Sequence, residues 1–403
     1  MKIAIVAQHT TPLNHRDARQ APERARLREL TRQLAGNGHQ VTLYSEKTGP
    51  RLPDRTTLCD GVRVEHIGPT RPDVAGEPAD ERGMLARVPA FSGTLRDRLR
   101  FDRPDVVHAV RWTSGLAALA ATRGLDIPVV QSFQSLGVAE QRHRRCPLDA
   151  GTERIRLEPA IGRSVTAVLA GCTDEKSDLA RLGVPRQCIK VVPDGVDTTE
   201  FVPEGRIAAR NGRPRLLTVA DLAPGDGIDT LLRALEKVPG TELIVAGGPP
   251  RGELRGHSEH ARLCALAGAL GITDRVLFTG QVNRQALPPL LRSADLYIST
   301  YEYEPSAMLS LQAMACGTPV VAPALGGHAD AVVDGTTGIL VPPGRPALLA
   351  QRIRQLLAHP MLLEAYSVAA ADRAQSRFSW ERIARETLAV YDQVVDSAAK
   401  AAA

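Results

Sequence analysis

Residues 303–327 read YEPSAMLSLQAMACGTPVVAPALGG, and the order of residue types in this stretch decides the class of fold. Met308, Leu311 and Ala315 recur at helical spacing, Cys316-Gly317 closes the pattern, and residues 319–322 form a short apolar run ending in a glycine pair. Helix, tight turn, buried strand and glycine loop in succession are the repeating unit of a parallel α/β sheet. Residues 296–299 read as another strand, so Glu304 and Pro305 stand where a strand passes into a helix, with proline tolerated in the first turn. A helix N-terminus in that place offers free N–H groups to an anion such as a phosphate. Glu304 and Gln312, slightly more than two helical turns apart, can face one cleft. By spacing alone, the favoured reading is an ordinary capped helix with solvated polar positions, Glu304 being an exposed helix-start carboxylate that suits the helix macrodipole.

Outward from this stretch the same alternation continues. Strand-like runs occur at 3–7, 41–44, 62–66, 106–109, 128–132, 167–170 and 189–192, with helical patterns between them. One helical pattern, 22–35, places Leu27, Leu30 and Leu34 on one face. Residues 194–215 then break the composition with Gly, Pro and charge, and strands resume at 216–219, 243–246, 276–279, 296–299, 319–322 and 339–341. The expected architecture is α/β: two Rossmann-like, doubly wound parallel-sheet domains, 1–200 and 201–377, facing a cleft. A C-terminal helix within 378–403 crosses back to the first domain. Ligands of such sheets bind beyond the carboxyl ends of the strands.

Composition agrees with this and narrows the partners. The 403 residues are 43% apolar but only 3% aromatic, so the cores are aliphatic. The net charge of +5 comes from arginines interspersed with carboxylates, which reads as a solvated surface and not as a nucleic-acid footprint. The six cysteines show no CxxC spacing, as expected of buried thiols in a reducing cytoplasm. The start, MKIAIVAQH, enters a strand at once and is not expected to be a signal peptide. No apolar run approaches ~18 residues. Arg-rich segments at 24–32, 96–103 and 142–145 allow peripheral contact with an anionic membrane, although Glu and Asp are mixed into them. The glycine loop GGPPRG at 247–252 lacks the Lys and Ser/Thr of a nucleotide P-loop. His143, His257 and His260 lie in basic segments and no metal site is expected there.

The opening stretch, followed by VVDGTTGILVPP at 332–343, closely resembles the sugar-nucleotide site of the retaining family-four glycosyltransferases. Segments 30–45, 108–121, 127–137, 153–175 and 191–201 extend the resemblance over nearly the whole chain, nearest to sucrose-synthase-like enzymes and to actinobacterial transferases of the mycothiol-synthesis type. The resemblance implies the GT-B fold, a nucleotide-sugar donor held mainly by the second domain, an acceptor held mainly by the first, and transfer with retention without metal or cofactor.

It also implies the site residues, and here the sequence departs from the family. Asp221 and Asp226 of TVADLAPGDG stand where the family has an Arg and a Lys on the donor diphosphate. A charge pair at contact is worth on the order of 1–4 kcal/mol, so exchanging two attractions for two repulsions should weaken diphosphate binding severely. The bare sequence also allows both to be simply solvated in a glycine-proline loop. Gln134 stands for the family histidine near the donor sugar, and an amide carries no proton or positive charge there. Gln312 stands for the glutamate on the ribose, and Ala307 for a close-approach glycine whose place its methyl can obstruct. The loop at 9–27 has no glycine where the family has two. Glu304, Gly326 and Gly327 keep the family pattern, and Met308 is placed with them on the donor side. Two functions follow: a nucleotide-sugar-dependent glycosyltransferase with a divergent donor site, or a catalytically silent relative serving as binding or partner subunit of an active transferase.

Overall fold

The computed structural model of the chain describes residues 1–10, 21–47, 52–68, 81–144, 152–301, 304 and 306–402. Two compact units emerge, Met1–Pro193 with Trp380–Ala403, and Asp194–Ser379.

The first unit contains β1 (Lys2–Val6), α1 (Ala21–Gly36), β2 (Gln40–Glu46), β3 (Arg55–Cys59), β4 (Val62–Ile67), α2 (Glu81–Asp102), β5 (Val106–Val110), α3 (Trp112–Thr122), β6 (Val129–Ser132), α4 (Gly137–Arg144), α5 (Thr152–Ser164), β7 (Ala167–Ala170), α6 (Thr173–Arg181) and β8 (Ile189–Val191). Its eight-stranded sheet runs β3-β4-β2-β1-β5-β6-β7-β8. All pairings are parallel except β3–β4, an edge hairpin turned by Asp60-Gly61, with Gly61 at φ 77°. This hairpin adds one antiparallel edge strand to the expected parallel sheet. Residues 55–59 are too polar to read as a buried run, yet Asp-Gly between extended segments is a hairpin signal in its own right. Leu27, Leu30 and Leu34 of α1 are buried, as their spacing requires.

The second unit contains β9 (Arg215–Val219), α7 (Ile228–Glu236), β10 (Glu242–Ala246), α8 (Ser258–Ala269), β11 (Val276–Gly280), α9 (Leu287–Arg292), β12 (Leu296–Ile298), α10 (Met308–Ala315), β13 (Val320–Pro323), α11 (Gly327–Ala331), β14 (Gly338–Val341), α12 (Pro346–Leu357) and α13 (Pro360–Phe378). Six parallel strands run β11-β10-β9-β12-β13-β14, so the direction of winding reverses between β9 and β12. Alternate residues feed two cores. Leu216, Leu243, Val245, Leu296 and Ile298 join one cluster, and Leu217, Ile244, Tyr297 and Val320 the other. That is the two-residue period of a sheet covered on both faces, each fully buried aliphatic side chain contributing roughly 1.5–3 kcal/mol.

One segment differs from the compositional reading. Residues 194–215, read as a break, are built into the second unit: Val196 and Phe201 are buried in its core, and Asp197 Oδ1 accepts the N–H groups of Thr199 and Glu200. Arg292 clamps the same stretch through the carbonyls of Val202 and Arg206. After Ser379, α14 (Trp380–Ala402) packs in the first unit, with Trp380, Ile383, Leu388, Tyr391 and Val394 in one cluster with Ile3, Ile5 and Val41. It stays helical through Ala402.

The basic segments are partly paired: Arg98 lies 3.6 Å from Glu65, and Arg142 3.0 Å from Asp178. Arg145 and Cys146 lie outside the described residues. Among the described residues no helix is long and apolar enough to cross a membrane.

Candidate active site

In the second unit the loops after β9 and β12 leave the sheet side by side at the reversal point, the place where open α/β sheets bind ligands. Their approach is tight. A Cβ on Gly227, at φ 73°, would lie 2.0 Å from the Thr300 carbonyl oxygen, so only glycine fits. Asp221 at the head of the β9 loop is exposed. Asp226 is not solvated as the sequence allows: it is 8% exposed, and its Oδ2 accepts the Ala223 N–H at 2.8 Å. The proline-glycine turn between them folds the carboxylate back onto its own backbone.

Tyr301 was not singled out by sequence, yet it stands among these groups. Burial, then the negative charges of Asp226, Asp221 and Glu304, push its phenol far above the usual tyrosine value and keep it a hydrogen-bond donor.

Glu304 follows β12 but lies ahead of α10, which begins at Met308 with no acidic residue in its first turn. The helix-start reading of this carboxylate is therefore corrected. Pro305 lies outside the described residues. Glu304 Oε2 instead sits 3.2 Å from Nε2 of His328 in α11, a side chain 1% exposed. The imidazole is also in contact with Ser299 Oγ at 3.0 Å through Nε2 and Ser310 Oγ at 3.2 Å through Nδ1. The Glu304 carbonyl accepts the Gly327 N–H at 3.0 Å. Gly326, at φ 59° and ψ −141°, makes the turn that brings α11 back to Glu304. The structure thus gathers Glu304, Gly326 and Gly327, and adds His328, which sequence reasoning passed over. Its signal was a lone titratable residue directly after the glycine pair.

The helix residues divide. Ala307 is 4% exposed and its methyl joins the core with Leu311 and Met314. Met308 is half-buried, its N–H donating to Ser306 Oγ at 3.3 Å. Gln312, also half-buried, has an Oε1 that is buried without a hydrogen-bond partner among the described residues.

In the first unit the carboxyl ends of the central strands carry a second polar group. Gln134, after β6, has a left-handed φ of 67° and a buried Oε1 without a partner among the described residues. Arg111, after β5, has φ 72° and pairs with Glu23 at 3.1 Å. Glu46, 3% exposed at the end of β2, lies 3.4 Å from both His9 and Arg87. Left-handed backbone at non-glycine residues costs of order 1 kcal/mol or more and is concentrated at functional sites. The Gln134 loop is held by buried Arg154, which donates to the Ser135 carbonyl at 2.7 Å and to Glu158 at 2.6 Å. Glu158 in turn accepts the Gly137 N–H at 2.8 Å. Most of the glycine-free loop after β1, residues 11–20, lies outside the described residues. Among the described residues no group of three His, Cys, Asp or Glu can hold a metal ion. His257 uses its Nδ1 to accept the His260 N–H at the start of α8.

Comparison with known proteins adds the lineage. The family profile for glycosyl transferases group 1 matches residues 204–373, and that for glycosyltransferase family 4 matches residues 25–200. The D-inositol 3-phosphate glycosyltransferase 1 of Catenulispora acidiphila is 32% identical, covering 91% of this chain and 90% of the relative. The D-inositol 3-phosphate glycosyltransferase of Kineococcus radiotolerans is also 32% identical, over 99% of this chain and 96% of the relative. Among solved structures, sucrose-phosphate synthase from Thermosynechococcus elongatus superposes with a TM-score of 0.85 at 24% identity, covering 98% of this chain and 99% of that one. HepE of Anabaena, solved in complex with UDP and glucose, gives 0.70 at 18% identity over 97% and 99% of the two chains. These two likenesses speak for the fold, while the close relatives and the paired profiles speak for descent. This chain belongs to the group 1, family 4 glycosyltransferases and has their GT-B fold.

Proposed function

We propose that this glycosyltransferase takes its sugar from a nucleotide-sugar donor bound at the strand ends of the second unit and transfers it with retention of anomeric configuration. The observation that carries this reading is Glu304 at the carboxyl end of β12, whose carboxylate meets a buried histidine and whose backbone carbonyl accepts a glycine N–H. In this reading Glu304 accepts a hydroxyl of the donor sugar and Gln312 a hydroxyl of the ribose. Glycines 326 and 327 shape the turn beneath the sugar. Asp221 and Asp226 do not bind the diphosphate. The N–H groups of the first turn of α10 beyond Met308, whose own N–H is given to Ser306 Oγ, take that role, since a helix N-terminus favours an anion. Gln134 supplies an amide where relatives of this lineage have an imidazole, and so contributes a hydrogen bond without a charge.

The acceptor belongs to the strand ends of the first unit. The relatives named for D-inositol 3-phosphate make an inositol phosphate the first acceptor to test, and the UDP held by HepE makes uridine nucleotide sugars the first donors. A cytoplasmic setting belongs to the same reading, in keeping with the five free cysteines among the described residues.

The test is to incubate the purified protein with a panel of nucleotide sugars, measuring binding by calorimetry and nucleoside diphosphate release with and without acceptor. Saturable binding with turnover, and a product of unchanged anomeric configuration by NMR, support transfer. The exposed carboxylate of Asp221 favours the second reading, a silent partner subunit. No binding of any nucleotide, together with co-purification of an active transferase, would establish that reading instead.

A further inference from the structure

We propose that His328 is a positioning residue for Glu304: it fixes one carboxylate oxygen in the interior so that the other is presented to a hydroxyl of the donor sugar. The inference rests on the nucleotide-sugar reading given above. The argument starts from what each group can do. A carboxylate only accepts hydrogen bonds, so the 3.2 Å contact between Glu304 Oε2 and His328 Nε2 is attractive only if Nε2 carries a proton. In the neutral ring Nδ1 is then an acceptor, and the Ser310 hydroxyl, 3.2 Å away, is its donor. Ser299 Oγ, 3.0 Å from Nε2, shares the same N–H. The result is a directed chain: Ser310 O–H to Nδ1, then Nε2–H to Glu304.

Its surroundings make the chain rigid. Ser310 is fully buried, Ser299 is 5% exposed, and the histidine side chain is 1% exposed, so the ring has nowhere to turn. Glu304 is different, with a side chain 21% exposed. Its Oε1 makes no hydrogen bond among the described residues, and its backbone is tied down by Gly327. One oxygen is held and the other is open. An aliphatic residue of similar volume at 328 would fill the space and leave the carboxylate to turn. The prediction is thus a loss of sugar recognition separable from nucleotide recognition.

The experiment compares the whole protein with His328→Leu, His328→Gln, Glu304→Gln and the Glu304→Gln/His328→Leu double variant. Affinity is measured for a nucleotide sugar and for the corresponding nucleoside diphosphate. The expected result for His328→Leu is about a tenfold or greater loss for the nucleotide sugar, with less than about twofold change for the nucleoside diphosphate. His328→Gln, whose amide can still donate, should recover most of the loss. In the Glu304→Gln background the leucine substitution should cost clearly less than in the unaltered protein, since the amide oxygen that still accepts Nε2–H carries no charge. Equal weakening of both ligands, or additive effects, would overturn the positioning role and leave only a packing role.

A second measurement needs no donor. Histidine 15N shifts must report His328 protonated at Nε2, and must move in Glu304→Gln. A ring protonated at Nδ1 alone would sink the proposal. If the unaltered protein binds no nucleotide sugar, the donor reading fails, and the NMR measurement still decides whether the pair exists.

Discussion

Asp226 Oδ2 accepts the backbone N–H of Ala223 at 2.8 Å, which turns the carboxylate at the expected diphosphate position into a brace for its own loop. Of the two anions expected at the lineage's cation positions, only Asp221 is exposed. The two positions should therefore respond differently to substitution.

Asp221→Arg alone should raise nucleoside diphosphate affinity by about tenfold, the low end of exchanging a repulsion for an attraction near a phosphate. Calorimetry reads this directly. An unchanged affinity would mean that the loop after β9 does not face the ligand.

Asp226→Ala should destabilise the second unit by about 1–3 kcal/mol, because the Ala223 N–H loses a charged acceptor, whereas Asp226→Asn keeps an oxygen in place and should lose less than half of that. Asp226→Lys should behave like the alanine variant and gain no nucleotide affinity. Denaturant melts and hydrogen exchange at Ala223 separate these outcomes.

Gly227→Ala should be among the most damaging single changes in the chain. The added Cβ meets the Thr300 carbonyl oxygen at 2.0 Å on a backbone at φ 73°, so the β9 and β12 loops must separate. A loss on the order of 3–5 kcal/mol is expected, read as a large drop in Tm. Gly225→Ala, with nothing within 4 Å of the added methyl, should suffer mainly the strain of its positive φ and serves as the milder control.

The first unit should lose stability on mild acidification through His108. Its ring is fully buried between Tyr391 Oη at 2.6 Å and Ser132 Oγ at 2.9 Å. Burial, with the nearby Arg26 charge, lowers its pKa to about 3 from the ordinary 6.5. Between these values the unfolded chain binds a proton that the native chain refuses, so stability falls as pH drops below the unfolded value. From pH 7 to pH 5 the loss amounts to about 2 kcal/mol. His108→Asn should flatten that slope in thermal melts, and an unaltered slope would assign the acid sensitivity to other groups.

Tyr391→Phe removes the hydroxyl that joins α14 to β5. Since His108 Nδ1 then stays buried without this partner, a loss of about 1–3 kcal/mol is expected. Hydrogen exchange should quicken in α14 ahead of the strands, as an element held by fewer partners opens first.

Much of the architecture was legible in the sequence because it depends on local periodicity. The apolar runs at 3–7, 106–109, 167–170 and 243–246 are strands within two residues, and Leu27, Leu30 and Leu34 are buried on one side of α1. The β3–β4 hairpin escaped because an edge strand needs no apolar run, leaving Asp60-Gly61 as its only mark. The 194–215 segment looked like a break because Gly, Pro and charge mark irregular backbone, and irregular backbone can still pack, as Phe201 does.

The site was less legible. Spacing paired Glu304 with Gln312, and the resemblance named Ala307, Met308 and the glycine pair, but both carried their order along the chain and not the direction of their side chains. Ala307 turned into the core, and Glu304 proved to lie before its helix. His328, Tyr301 and Glu46 were unmarked because each acts through contacts with residues on other strands or helices.

The sequence by itself determined two α/β units of this lineage, since helix and strand periods and the aliphatic burial they imply are written in consecutive residues. Tertiary structure alone decided where the charges go. Asp226 braces a turn, and Glu304 meets a buried imidazole. The physical reason is that a carboxylate's role is fixed by the donors that reach it, and those donors are assembled only when separate elements pack together.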